Sequence, residues 1–221
     1  MTDSFRDELR IVGGHPALDL VNTVAPRVPG ETGGRDYLPD AATLLAWSRR
    51  IEIVDPAEAA AVEAVWGSTP DLAETALRAT VEIREATYTV LAQRASGVGP
   101  KPANFEHEQG PAFERLMLRW AAASARSMLV SRDRGPGVAE LRVGTSPALM
   151  IPDRLVAAAV ELLRTVELRQ LRACPVADGG CGFLFLDRSR NGSRRWCSMD
   201  DCGTQAKIRK LSARRRSAST V

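Results

Sequence analysis

Four thiols in two close pairs are the residues here whose type and spacing could do chemistry: Cys174-x6-Cys181 and Cys197-x4-Cys202, with no other cysteine in the chain. A tetrahedral zinc ion takes four thiolates at about 2.3 Å, usually delivered by two short chain reversals with a longer spacer between them. Both reversals and the spacer are present, so zinc is the expected cofactor and Cys174, Cys181, Cys197 and Cys202 its expected ligands. Four cysteines fill the coordination sphere, which makes such a metal structural and leaves no open position for catalysis. The alternatives are disulfides, an iron–sulfur cluster or unrelated buried thiols. Disulfides need an oxidising compartment. Met1 to Arg10 carry no apolar leader, so the expected location is the reducing cytoplasm.

The elements that must position these thiols can be read from their neighbours. Phe183-Leu184-Phe185-Leu186 suits a strand, Asn191-Gly192 is a turn signal, and Arg194-Arg195-Trp196 could return alongside, which predicts a hairpin inside the spacer. After Cys197, Ser198 is placed to cap a helix with Asp200 and Asp201 in its first turn and Lys210, Arg214, Arg215 and Arg216 towards its end. At roughly 100° per residue, Lys207, Lys210 and Arg214 fall within about 60° of one another and form a basic stripe. Arg194 and Arg195 would join it from the hairpin, while Thr204, Ile208 and Leu211 share another side that could pack on the hairpin or on a partner.

The run from Phe183 to Gly192, with Arg194-Arg195-Trp196-Cys197-Ser198-Met199, Cys202-Gly203 and Lys207, resembles the CGNR-type zinc finger. Near the other end, Leu18-Asp19, Val21 and Asn22-Thr23 within Gly13 to Thr23 resemble the opening of the ABATE domain, which precedes that finger in bacterial proteins associated with stress-induced transcription regulation. The resemblance implies zinc and a DNA partner, with Arg194, Arg195, Gln205, Lys207, Lys210 and Arg214 as candidate DNA contacts. One motif departs from the family: Cys202-Gly203-Thr204-Gln205 stands where Cys-Gly-Asn-Arg is expected. A glutamine can hydrogen-bond a base but cannot neutralise a phosphate.

Charge divides the chain in the same place. Of 30 basic and 27 acidic residues overall, 11 and 4 lie between Gln170 and Val221, so the tail carries +7 and the rest must carry −4. An acidic body with a basic metal-bound tail is the layout of a nucleic-acid binder. At 221 residues and 44% hydrophobic, the chain can bury a real core. No apolar run approaches the roughly 20 residues that span a bilayer, so no membrane partner is expected.

The body reads as helical. Asn22 to Pro39 is a proline- and glycine-rich loop, Asp40 caps a first long helix, Asp55-Pro56 begins a second, and a third runs from about Pro70 to Ala95. In that third helix Ala76, Ala79, Thr80, Ile83, Ala86, Thr87, Val90 and Leu91 mark the buried face, with Glu82, Arg84 and Glu85 turned outward. A short helix is expected near Pro102 to Glu108, another from Pro111, then a hairpin of Met128-Leu129-Val130 with Val138 to Val143, and a long helix leading into Cys174 without a flexible linker. The expected fold class is therefore mainly α: a helical body over residues 1–170 with minor β-hairpins, then a hairpin-plus-helix finger over residues 171–221.

Asp19 and Asn22 are short polar residues among Leu18, Leu20 and Val21, where they could satisfy backbone groups or face a small ligand pocket. The body shows no nucleophile motif, paired carboxylates or metal-type histidine spacing, so an enzyme is not expected. The expected function is a zinc-dependent, DNA-binding transcription regulator whose body senses a small-molecule effector or forms a homodimer. The alternative is a protein-interaction or RNA-binding zinc module, since a basic tail does not by itself distinguish DNA from RNA.

Overall fold

A computed structural model describes residues 9–28, 34–95, 97, 107–132, 134–135 and 137–218, the side chains of 213–218 excepted. A six-residue helix, α1 (Pro16–Val21), opens the described chain; His15 at its N-cap accepts from the Ala17 amide, and Pro16 supplies a pre-set first turn. It is too short to stand alone, and its stability comes from burial: Ala17, Leu18, Leu20 and Val21 are all inaccessible to solvent. A short antiparallel ribbon follows, β1 (Val24–Ala25) with β2 (Arg35–Asp36). Helix α2 (Ala41–Arg50) begins where Asp40 accepts the Thr43 amide at 2.7 Å. Helix α3 (Pro56–Ser68) starts with a reciprocal Asp55–Glu58 capping box.

The body is built around α4 (Pro70–Ala92), α5 (Gln109–Ala125) and α6 (Met150–Thr165), which pack on one another, with α1 laid against α4 and α6. The face expected for α4 is the buried one, but Arg84 is not turned outward: it is 4% exposed. Its guanidinium lies at the edge of the buried arc beneath the β1–β2 ribbon, bonded to both Asp36 oxygens at 2.8 Å, to Thr23 and to Glu85. A charge can stay there because its donors are matched by carboxylates. Arg27 completes the cluster, forked onto Glu85 and lying over the Tyr88 ring at 4.5 Å.

Between α5 and α6 stands the expected hairpin, β3 (Met128–Ser131) with β4 (Ala139–Arg142), in a register that puts Leu129 opposite Leu141. Its turn residues Asp133 and Pro136 lie outside the described residues, as do residues 102–106 of the expected short helix and Gly33 of the early loop.

The finger's hairpin differs from the one expected. Strand β6 (Leu184–Leu186) pairs antiparallel with β5 (Leu171–Ala173), not with Arg194–Trp196. The reversal that carries Cys174 and Cys181 is itself the hairpin connection: the Cys174 amide donates to Phe183 and the Gly182 amide returns to Cys174, with Gly179 and Gly182 both at positive φ. The segment after β6 is held instead by the buried Asp187, whose carboxylate accepts from the Ser189 amide and hydroxyl and from the Arg194 amide. Asn191-Gly192 does turn the chain, with Gly192 at φ 58°, but inside this Asp187-centred loop. Helix α7 (Thr204–Ala218) ends the described chain.

One ion pair ties the periphery of the body together. Arg154 on α6 is forked onto Glu58 and also donates to the Val143 and Ile53 carbonyls. Chiefly through the hydrogen bond from Arg154, the Glu58 carboxyl is lowered from its ordinary 4.5 to about 2. A depressed carboxylate contributes its full stabilisation above the unfolded value and loses it as the pH falls through the folded one, so acid should weaken this tie between about pH 4.5 and 2. Glu58→Gln is expected to cost about 1–2 kcal/mol at pH 7, through the cap and the pair together, and to flatten the acid slope. Urea unfolding of both proteins at pH 7 and pH 3 checks this; equal slopes would contradict it.

Candidate metal centre

The thiols of Cys174, Cys181, Cys197 and Cys202 come from two elements, the β5–β6 connection and the turn into α7, and all four sulfurs lie within 4.8 Å of one another. Two of the separations are 3.4 Å (Cys181 to Cys197) and 3.7 Å (Cys197 to Cys202). A ZnS4 tetrahedron with bonds of about 2.3 Å has edges of roughly 3.8 Å, so the donor set fits zinc. All four cysteines are free thiols, which sets disulfides aside, and the spacing is that of a single ion. Cys174, Cys197 and Cys202 are buried; Cys181 is half-buried. Close approach is enforced at Gly180, where a Cβ would sit 2.6 Å from the Cys174 sulfur. Hydrogen bonds among the four thiols hold Cys174 and Cys202 below their ordinary value and push Cys181 and Cys197 above it; a bound cation would require all four as thiolates.

Ser198 stands at the start of the following helix in extended backbone, but its side chain does not cap. The chain enters through a π turn, Met199–Gly203, which carries Cys202, and Thr204 closes that turn onto the Met199 carbonyl at 3.0 Å. Widened turns of this kind are frequent at functional sites, and this one carries Cys202 among the other sulfurs.

Arg194 is placed inward, contrary to its expected role as a DNA contact. It lies over the Phe185 ring at 4.4 Å and donates to the carbonyls of Trp196, Cys197 and Val12. Its donors and its flat face are thus spent on bracing the second cysteine pair against strand β6 and the body. Gln205 is half-buried and donates to Asp201 at 2.6 Å, on the side of the finger that faces the body. Arg195 is exposed and pairs with Asp178, and Lys207 and Lys210 are exposed on α7. Arg214 belongs to α7, but its side chain lies outside the described residues. Ile208 and Leu211 do not pack on the hairpin; both are more than half exposed.

Asp19 and Asn22 are both engaged by backbone. Buried Asp19 accepts the Gly13 amide at 2.8 Å, and burial pushes its carboxyl upward. Asn22 is wholly buried and answers both polar groups of Leu184: its amide donates to the carbonyl at 2.8 Å and its oxygen accepts the N–H at 2.9 Å. Asn22 thereby acts as an extra strand residue alongside β6. The Leu186 amide bonds to Gly13, the Arg27 amide to the Cys181 carbonyl and Arg194 to Val12, so the finger is sewn to the body along a seam that also includes Asn22.

Several residues that matter here are not among the contacts that the sequence pointed to. Arg10 reaches across from the start of the described chain to Asp201 at 2.6 Å and to the Cys202 sulfur at 4.0 Å, stacked above Phe183. Although burial works against it, the charge on Arg10 is reinforced by Cys197 and Asp201, and it sits where a ZnS4 unit would carry two negative charges. Arg209 donates to the Gly179 carbonyl at 2.8 Å, and Arg172, Arg188 and Arg190 lie on β5 and the Asp187-centred loop. Arg10, Tyr37, Phe183, Asp201, Gln205 and Arg209 line a cavity of about 470 Å³ at the seam between body and finger. No helix among the described residues is long and apolar enough to cross a membrane.

Residues 170–215 match the CGNR zinc finger family, and residues 14–166 match the ABATE family, described as "Putative stress-induced transcription regulator". No curated protein matches the chain. With the larger part of its length matched and a four-cysteine centre in the segment that follows, the chain belongs to the ABATE family and carries a CGNR zinc finger after its ABATE region.

Proposed function

We propose that the chain is a zinc-dependent, DNA-binding transcription regulator of the cytoplasm, without catalytic activity, in which the finger touches the duplex and the body adjusts how it is presented. The observation that carries this reading is the sorting of the finger's charges. Arg10 and Arg194 turn in to hold the metal knuckle, while Arg188, Arg190, Arg195, Lys207 and Lys210 stay exposed on an otherwise acid-poor segment. The Asp187-centred loop presents Arg188 and Arg190 on a backbone already fixed by three hydrogen bonds, so little backbone entropy remains to be lost when they meet phosphates. A small-molecule effector belongs to the same proposal: the seam cavity touches Arg10 and Asp201, so a ligand lodged there would press directly on the turn that holds Cys202.

If 3 to 5 phosphates are neutralised per finger, log affinity for duplex DNA falls against log salt with a slope of about −3 to −5. Lys210→Ala is expected to flatten that slope by about one unit and to weaken all duplexes alike. Fluorescence anisotropy titrations of zinc-loaded protein at several salt concentrations measure both. Equal or tighter binding to single-stranded RNA, or no salt dependence, would favour the RNA-binding or protein-interaction module instead.

A further inference from the structure

The four sulfurs of the metal centre are not equally reachable. Cys174, Cys197 and Cys202 are 0%, 1% and 5% exposed, whereas Cys181 is half-buried. Of the four residues, Cys181 and Cys202 line the seam cavity, whose volume of about 470 Å³ is ample for a solute about the size of two waters. At Cys202 that wall is shared with Arg10, whose guanidinium lies 4.0 Å from the sulfur and is held there by Asp201 and the Phe183 ring. Cys181 is therefore the sulfur that a small solute in the seam meets first. Its neighbour at 3.4 Å is the buried sulfur of Cys197. A disulfide needs about 2.05 Å between sulfurs, so closing this pair asks for a shift of about 1.4 Å.

We propose that Cys181 is an oxidation site for small peroxides, and that Cys197 converts the product into a Cys181–Cys197 disulfide that dismantles the metal centre. A metal-bound sulfur is a thiolate, and a thiolate within reach of solutes is the form that peroxides oxidise. The Cys181 sulfur attacks one peroxide oxygen: an S–O bond forms, the O–O bond breaks and hydroxide leaves, so the sulfur gives two electrons to the peroxide and becomes a sulfenic acid. The Cys197 thiolate then attacks that sulfur, forming the S–S bond and expelling a second hydroxide. Both hydroxides take a proton from the medium, so two thiolates, one peroxide and two protons give one disulfide and two waters. Cys174 and Cys202 remain, and two thiolates do not make the closed four-ligand site of a structural zinc. The backbone carries the change outward: the Cys181 carbonyl holds the Arg27 amide at 2.8 Å and Arg27 is forked onto Glu85, so movement of Cys181 pulls on the seam. The inference rests on the metal centre and not on what the finger binds.

To test it, the reduced, zinc-loaded full chain is treated with hydrogen peroxide while a chromophoric chelator follows the released metal and differential alkylation with peptide mass mapping follows the sulfurs. The expected result is release of the zinc in step with a Cys181–Cys197 disulfide, with Cys174 and Cys202 recovered as free thiols. Dithiothreitol with added zinc should reverse both changes. Cys181→His keeps a fourth ligand of a type that structural zinc accepts, and should slow release by at least about 10-fold. Should that variant not load zinc, the mapping on the wild-type chain decides alone. A first disulfide joining any other pair, initial oxidation at Cys202, release from a loaded Cys181→His chain as fast as from wild type, or a wild-type centre that keeps its zinc and four thiols under peroxide, would overturn the proposal.

Discussion

Removing one sulfur is expected to undo the finger: Cys197→Ser, or chelation of the reduced wild-type protein, should leave residues 174–203 open to hydrogen exchange while α3 to α6 keep their protection. A structural zinc site contributes an apparent ~10 to 16 kcal/mol, and Cys197 sits within 4 Å of two of the other sulfurs, so its loss is not absorbed by the remaining three. Damage should reach the body where the seam joins it. The Cys181 carbonyl holds the Arg27 amide, so the chain around Arg27 should exchange faster too. Leu184 and Phe185, fully buried against the body, should be the last of the finger to open. Metal analysis with exchange mass spectrometry checks the ordering. Less than about half an equivalent of zinc in reduced protein, or exchange unchanged by chelation, would contradict it.

The second large effect is expected from a residue far from the metal in sequence. Asn22→Ala would strand the N–H and C=O of Leu184 in the interior, and each unsatisfied buried group costs about 1–3 kcal/mol, so a loss of about 2–6 kcal/mol is expected. Asn22→Asp should fare no better, since a carboxylate lacks the donor that the Leu184 carbonyl needs and brings a charge into a fully buried position. Urea unfolding measures the loss. A variant with native stability but weakened response to a small molecule would instead restore the reading of Asn22 as a pocket residue.

The helices and the metal centre were legible because their signals are local. Asp40, Asp55-Pro56 and the three-and-four spacing on α4 act within a turn or two, and the cysteine pairs lie close in sequence. What escaped was set by distant parts of the chain. Phe183–Leu186 reads as a strand, but its partner, Leu171–Ala173, is an unremarkable Leu-Arg-Ala that only the reversal through Cys174 brings alongside. Arg194 reads as a surface charge because nothing nearby in sequence reveals the Phe185 face and Val12 carbonyl that claim it. Arg84 was missed for a related reason: the helical period puts it at a boundary, and Asp36, 48 residues away, decides which side it joins. Gln205 had been weighed for what it could do to a base, whereas in the fold it is a neighbour of Asp201 and, through it, of Arg10.

The seam also sets an order in time. Arg10 waits for a partner 192 residues later, Val12 for one 182 later and Asn22 for one 162 later. During synthesis these early groups leave the ribosome long before their counterparts exist, and contacts of such separation are slow to form because loop closure must precede any reward. Helices α2 to α6 can assemble meanwhile from contacts closer in sequence, whereas α1, which packs on β6, must stay incompletely covered until the finger arrives. Metal capture, which needs Cys202, then falls at the end of the process, so a zinc-starved cell would accumulate chains with folded helices and an open seam, a form exposed to proteases at residues 9–28.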